Sequence, residues 1–226
     1  MQIVSDKTEF KLKGASAVAI GKFDGIHAGH YRLIDEILRQ KKNGLQSVIF
    51  TFFPSATLYF GGEEAKELTT REEKREIFER MGIDVLVEFP LNPETAATIP
   101  VDFVKKILIG MMNMKFLAAG EDVSFGKGGK GNRALLEEMA EENDFSVRII
   151  EKIFDHGKEI SSTYVREEIL KGNMELASEL LSRNYSIEGI VENGMHLGRK
   201  MGFPTVNLYP PEEKAVAEAR RMIEVG

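Results

Sequence analysis

The 226-residue chain contains no cysteine. It can form no disulfide framework and no thiolate zinc site, so any metal must be held by oxygen or imidazole. Long apolar runs are missing too. None approaches the roughly 20 residues that a membrane-spanning helix needs, and the polar opening "MQIVSDKTEFKLKG" has no signal-peptide core. A cytoplasmic protein without a membrane partner is expected. A basic surplus is also absent. The formal charge of −6 argues against a broad nucleic-acid face and leaves room only for a local basic cleft that takes small phosphorylated ligands. No internal repeat or low-complexity tract occurs.

What remains is an ordinary globular composition, 42% hydrophobic and 29% charged, in a chain long enough for one full domain and a smaller second unit. Periodicity orders the elements. "SAVAIG" (16–21) reads as a short buried strand, and "YRLIDEILRQKKNG" as a helix with Leu33, Ile34, Ile37 and Leu38 on one stripe before Gly44. "LQSVIFTFF" (45–53) is a strand, and "TTREEKREIFERMG" a helix with a threonine cap, early acids and Gly82 as its stop. Then follow the strand "DVLVEF", the helix "PVDFVKKILIGMM" opened by Pro100, the strand "KFLAAG", the helix "NRALLEEMAEEN" and the strand "FSVRII". This alternation predicts an α/β fold, a parallel sheet covered on both faces, of the class that binds nucleotides. The pattern changes after Asn184. "YSIEGIVENGM" alternates like an antiparallel strand, and "PPEEKAVAEARRMIEV" reads as a proline-started helix, so domains are expected at 1–183 and 184–226.

Three stretches carry chemistry. "GKFDGIHAGH" (21–30) fills the turn after the first strand of the alternation, where free N–H groups face anions. Gly21, Gly25 and Gly29 let its backbone approach a phosphate, and His27 and His30, three apart at a helix entrance, can face one phosphate group. The same pair read alone is a helix cap, or half of a zinc site for which only two other histidines, His156 and His196, remain. The glycine-rich context favours phosphate chemistry. "ISSTYVREEI" (160–169) places Ser161, Ser162 and Thr163 before a helix with Arg166 a turn later, either an ordinary cap or a second phosphate contact. "GEDVSFGKGGKGN" (120–132) is a glycine-rich loop with lysines, a plain solvent loop or one that closes over an anionic or planar ligand.

Together and in this order, these stretches resemble the bacterial FAD synthetases that carry a riboflavin kinase domain at their C-terminus. "GKFDGIHAGH" is similar to the family's G-x-F-D-G-x-H-x-G-H, "GEDVSFG" to its G-x-D-F-x-F-G flavin loop, and "ISSTYVREEILKGNMELASELL" to its S-S-T-x-x-R segment. The resemblance implies a Rossmann-like nucleotidyltransferase fold and adenylyl transfer from ATP to FMN, giving FAD and pyrophosphate with Mg²⁺ on the phosphates. It further implies His27, His30 and Arg166 as catalytic residues. By the same resemblance Gly21, Phe23, Asp24, Gly25, Gly29, Ser161, Ser162 and Thr163 bind ATP, and Asp122 and Phe125 lie near the flavin. The family's T-F-x-P-H-P is replaced by "TFFPSA", with Ser55 and Ala56 where histidine and proline are expected, and Val123 and Tyr31 are further departures. An adenylyltransferase with another phosphorylated acceptor and a silent flavin- or nucleotide-binding module are the alternatives.

"YSIEGIVENGMHLGRKMGFPTVNL" resembles the start of the riboflavin kinase barrel, in which Thr205 and Asn207 would help bind Mg²⁺ and ATP. The later strands and acidic residue of that barrel are not readable in "YPPEEKAVAEARRMIEVG". A partial barrel with open edges, no kinase activity and self-association through this segment are the corresponding expectations.

Overall fold

The structure, a computed structural model, describes residues 1–61, 65–192 and 207–216. Six parallel strands form its sheet: β1 (Gln2–Ser5), β2 (Ser16–Ile20), β3 (Gln46–Phe53), β4 (Val85–Pro90), β5 (Met114–Gly120) and β6 (Ser146–Ile150), in the order β1-β4-β3-β2-β5-β6. This is a Rossmann-like α/β sheet, as the alternation predicts. The first strand, polar and only four residues long, is not legible as one; it joins the edge of the sheet by pairing Gln2–Ser5 with Val85–Glu88.

Strand alternation divides the core. Along β2, Ala17 and Ala19 face one side and Val18 and Ile20 the other. The alanine side is covered by helix α1 (Ala28–Arg39), which buries Leu33, Ile34 and Ile37, while Phe78 comes from a helix further along the chain. The valine side packs Phe103, Val104, Ile107 and Leu108 together with Leu136 and Met139. After β3 come the short helix α2 (Ala56–Gly61) and α3 (Arg71–Arg80), the latter capped by Thr70 in a reciprocal box with Glu73. Next are α4 (Pro93–Ala96) and α5, which begins at Pro100–Asp102 and continues through Phe103–Met111 with π-helical spacing, so that Met112 N–H reaches Ile107 O at 3.2 Å. Asn132 caps α6 (Arg133–Glu142). A two-residue hairpin, β7 (Phe154–Asp155) with β8 (Lys158–Glu159), leads into α7 (Ser162–Leu170) and α8 (Met174–Leu181), whose packed faces form a separate apolar cluster around Val165, Leu180 and Leu181.

The order of strands matters for function. From β2 the chain passes outward to β3 on one side, while β5 passes to β6 on the other, so the connections diverge between β2 and β5. A crevice is left at their carboxyl ends, the place where open α/β sheets bind ligands. The turn after β2 and the glycine-rich loop after β5 are its two lips.

Beyond α8 two readings change. Of "YSIEGIVENGM", Ile190–Glu192 form strand β9, which pairs antiparallel with β10 (Asn207–Tyr209); residues 185–189 are not strand, and residues 193–195 lie outside the described residues. The helix expected from Pro210 does not form across 211–216. Glu67 takes the backbone there, donating to Glu213 O at 2.6 Å and accepting from Ala215 N at 2.7 Å, so tertiary pairing overrides helix propensity. Residues 217–226 of that reading are outside the described residues.

Candidate active site

The turn after β2 is buried and tightly bent. Phe23 and Ile26 adopt positive φ of 50° and 44°, and Gly25 one of 77°. A side chain at Gly25 would put its Cβ 2.7 Å from Leu68, so glycine is needed on two counts. Asp24, 2% exposed, is the turn's anchor: its Oδ1 accepts from Leu68 N–H at 2.7 Å and from Thr69 N–H at 3.4 Å. Gly25 N–H donates to Thr69 Oγ1 at 3.1 Å, and Arg183 donates to Gly25 O and Ile26 O at 2.7 and 3.0 Å.

The same aspartate carries the connection to α7. Its Oδ2 accepts from Arg166 at 2.6 Å, and its carbonyl accepts from Ser162 Oγ at 2.7 Å. Ser161 caps α7 through Tyr164 N–H at 3.3 Å, and Thr163 is exposed on the first turn. Two stretches more than 130 residues apart are thereby joined around one cleft of about 380 Å³. Lys22, Asp24, His27, Gly29 and His30 line it from the first turn, Ser161, Ser162, Thr163 and Arg166 from the far motif. Thr57, Asp122, Lys152 and Glu159 complete the wall. A larger groove of about 800 Å³ between α1 and the β6 edge contains neither motif histidine, none of the three hydroxyls and not Arg166, so the smaller cleft is the candidate site.

Both histidines are shaped by burial. His27, 8% exposed, caps α1 by accepting from Gly29 N–H at Nδ1, 3.2 Å away, so the cap and the phosphate-facing position belong to one residue. This bond assigns the neutral tautomer with its proton on Nε2. Burial first, then Arg183, depresses its pKa to about 4. The His30 ring stacks 3.9 Å from His27 and 5.1 Å from Phe23, and its pKa is held well below the usual histidine value, again mainly by burial. Its Nδ1 is closed off from solvent without a partner, and so is Nε of Arg166. Both atoms belong to residues that line the cleft. Asp24 responds oppositely: burial raises its carboxyl pKa, against the pull of Lys74 and Arg166.

The loop after β5 is built differently. Gly120 and Asp122 reach the cleft, and the Asp122 carboxylate stands 3.3 Å from Lys152. Phe125 does not. Its ring, 6% exposed, lies in the core 5.4 Å from Phe103, and Gly131 is required above it because a Cβ there would sit 2.4 Å from the ring. Phe125 therefore sets the loop's conformation from below instead of offering a face to a ligand. Gly21 backs against the same Phe23 that supports His30. Ser55, at the departure from T-F-x-P-H-P, is buried and accepts from Leu58 N–H at 3.2 Å. Thr205 and the side chain of Asn207 lie outside the described residues. Sequence reasoning missed Thr69, Arg183 and Lys152. Thr69 was visible only as part of a helix cap, and an isolated arginine or lysine gives no periodic signal.

A FAD synthetase family model matches residues 10–164, and a riboflavin kinase model matches residues 181–221. The chain is 36% identical over 201 residues to the bifunctional riboflavin kinase/FMN adenylyltransferase of Buchnera aphidicola subsp. Schizaphis graminum, and 35% identical over 198 residues to that of Bacillus subtilis. These alignments cover 88% and 85% of this chain but 64% and 61% of those relatives, so it spans under two thirds of their length. A crystal structure described as a macrolide-efflux protein from Streptococcus pneumoniae superimposes with a TM-score of 0.81 at 27% identity, covering 95% of this chain and 70% of that one. Among the described residues, no helix is long and apolar enough to cross a membrane.

Proposed function

Because the chain belongs to the FAD synthetase family, we propose that it is an FMN adenylyltransferase, moving the adenylyl group of magnesium-bound ATP to FMN and releasing FAD and pyrophosphate. The observation that carries this reading is the joining of the His27–His30 turn to the Ser161–Arg166 cap through Asp24 around one cleft. Such a transfer requires no protein nucleophile. An FMN phosphate oxygen attacks the α-phosphorus in line as the bond to pyrophosphate breaks, so the protein's work is placement and charge stabilisation.

In this reading His27 donates from Nε2 and His30 supplies a second imidazole, both neutral before substrate arrives. Neutral donors suit a site that already holds Lys22 and Arg166, since they add hydrogen bonds without additional repulsion between cations. Arg166 lines the cleft with its guanidinium plane fixed by Asp24, placed to meet phosphate oxygen. Ser161, Ser162 and Thr163 stand at the N-terminus of α7, where an anion is favoured. Gly29 lines the ATP side, with Gly21, Phe23 and Gly25 shaping the turn behind it, and Asp122 with Lys152 borders the flavin side. Magnesium would enter with ATP, carried by phosphate oxygens and water.

Incubation with FMN, ATP and magnesium is expected to yield FAD. Riboflavin with ATP, run in parallel, is expected to yield no FMN. The two domains are proposed to be residues 1–183 and 184–226. Absence of FAD with ATP still bound would favour the silent module. Buried Ser55 in place of the expected histidine favours a second reading, a different phosphorylated acceptor, which competition between FMN and other phosphate monoesters would reveal.

A further inference from the structure

The segment matched by the riboflavin kinase family does not merely trail the transferase; it enters its interior. Lys214, 3% exposed, inserts its ammonium between α3 and the turn that precedes it. It donates to both Glu73 carboxylate oxygens, at 2.7 and 2.5 Å, and to Leu68 O at 2.8 Å, with Tyr185's ring 4.4 Å away. The Glu73 carboxylate also accepts from Thr70 N–H at 2.9 Å. Beside this pair lies a second, Lys74 with Glu67 at 3.2 Å, also buried. The backbone is stitched as well, by the two Glu67 bonds to 213–215 and by Tyr185 Oη donating to Ala215 O at 2.5 Å.

We propose that Lys214 is a positioning residue for the nucleotide cleft, acting through Leu68. The Leu68 backbone is held at both its peptide groups: its carbonyl accepts from Lys214, and its N–H donates to Asp24 Oδ1, the carboxylate whose other oxygen holds Arg166. The Leu68 side chain is what Gly25 packs against. A shift of this backbone therefore moves Asp24, and with it both the first turn and Arg166. By this route the kinase-type segment sets the geometry in which the transferase meets ATP. The inference deepens the transferase reading and rests on it for its kinetic part only.

The test uses the full chain with Lys214→Met and the double variant Lys214→Met/Glu73→Gln, which removes both charges and so avoids a lone buried carboxylate. Lys214→Met is expected to raise KM for ATP roughly tenfold while KM for FMN stays within about twofold, a split that general loosening of the fold would not produce. The double variant is expected to recover the melting temperature but not the ATP KM. Amide exchange at Leu68 and Gly25 should accelerate roughly tenfold in both variants. A native ATP KM in either folded variant, or unchanged exchange at Leu68, would overturn the proposal. If the native chain makes no FAD, the transferase reading falls, and Leu68 exchange alone still decides whether Lys214 holds the loop.

Discussion

Two glycine-rich turns follow adjacent strands of this sheet, and they are held by opposite means. The turn after β2 is fastened by polar groups: Asp24, Thr69, Ser162, Arg166 and Arg183 each spend a hydrogen bond on it. The loop after β5 is fastened by an apolar plug, Phe125 under Gly131 and against Phe103, while Asp122, Lys127 and Lys130 stay at the surface. Hydrogen bonds are directional and fix a backbone to a narrow geometry, whereas apolar burial fixes position and leaves the polar rim free to adapt. Under the proposed transfer, the first would suit atoms that face phosphorus in line, and the second a lip that admits the acceptor.

The largest effect should come from the apolar side. Phe125→Ala removes a core ring and leaves a cavity, with an expected loss of about 3 to 5 kcal/mol in denaturant unfolding. If the loss stays under about 1 kcal/mol, the ring is not the fastener. On the polar side Asp24→Asn keeps an acceptor for Leu68 but strands Arg166 beside the cleft. About 3 kcal/mol of stability should go, together with most of the ATP affinity, and calorimetry with ATP would contradict the scheme if the affinity survives. His30→Ala touches neither fastening. Its expected cost is about 2 to 4 kcal/mol in transition-state stabilisation with little change in melting temperature, and an unaltered kcat/KM would remove His30 from the chemistry.

This contrast also explains how much could be read from the chain. Strands β2 to β6 and helices α1, α3, α5 and α6 were legible because each buries a periodic face. The first turn was legible because glycine, aspartate and two histidines together have few structural uses. Phe125 was not legible as core: the same F-G step serves a flavin-facing ring or a plug, and only the three-dimensional neighbour Phe103 distinguishes them. Residues 211–216 do not form the helix that their local pattern suggests, because the partners that capture them, Glu67 and Glu73, lie about 140 residues away. Buried charge pairs of this kind leave no periodic trace, since each member looks like a solvated surface residue until its partner is known.

The pH dependence of His27 is the effect most specific to the polar turn. Free His27 stays neutral down to about pH 4, whereas an unfolded chain protonates its imidazole near 6.5. Between those values the unfolded state holds more protons, so stability rises with pH through that window and is lost as pH falls, on the order of 3 kcal/mol if the full shift is expressed. A bound triphosphate works in the opposite direction. Its charge favours imidazolium, so ATP binding should raise the His27 pKa and draw in part of a proton near pH 6. ATP titrates in the same range, so the quantity that counts is the difference between the native protein and His27→Gln, which keeps a donor but cannot titrate. Calorimetry in buffers of different ionisation enthalpy should show greater proton uptake for the native chain. Equal uptake would mean that His27 does not meet the phosphates and that its place in the turn is only that of a cap.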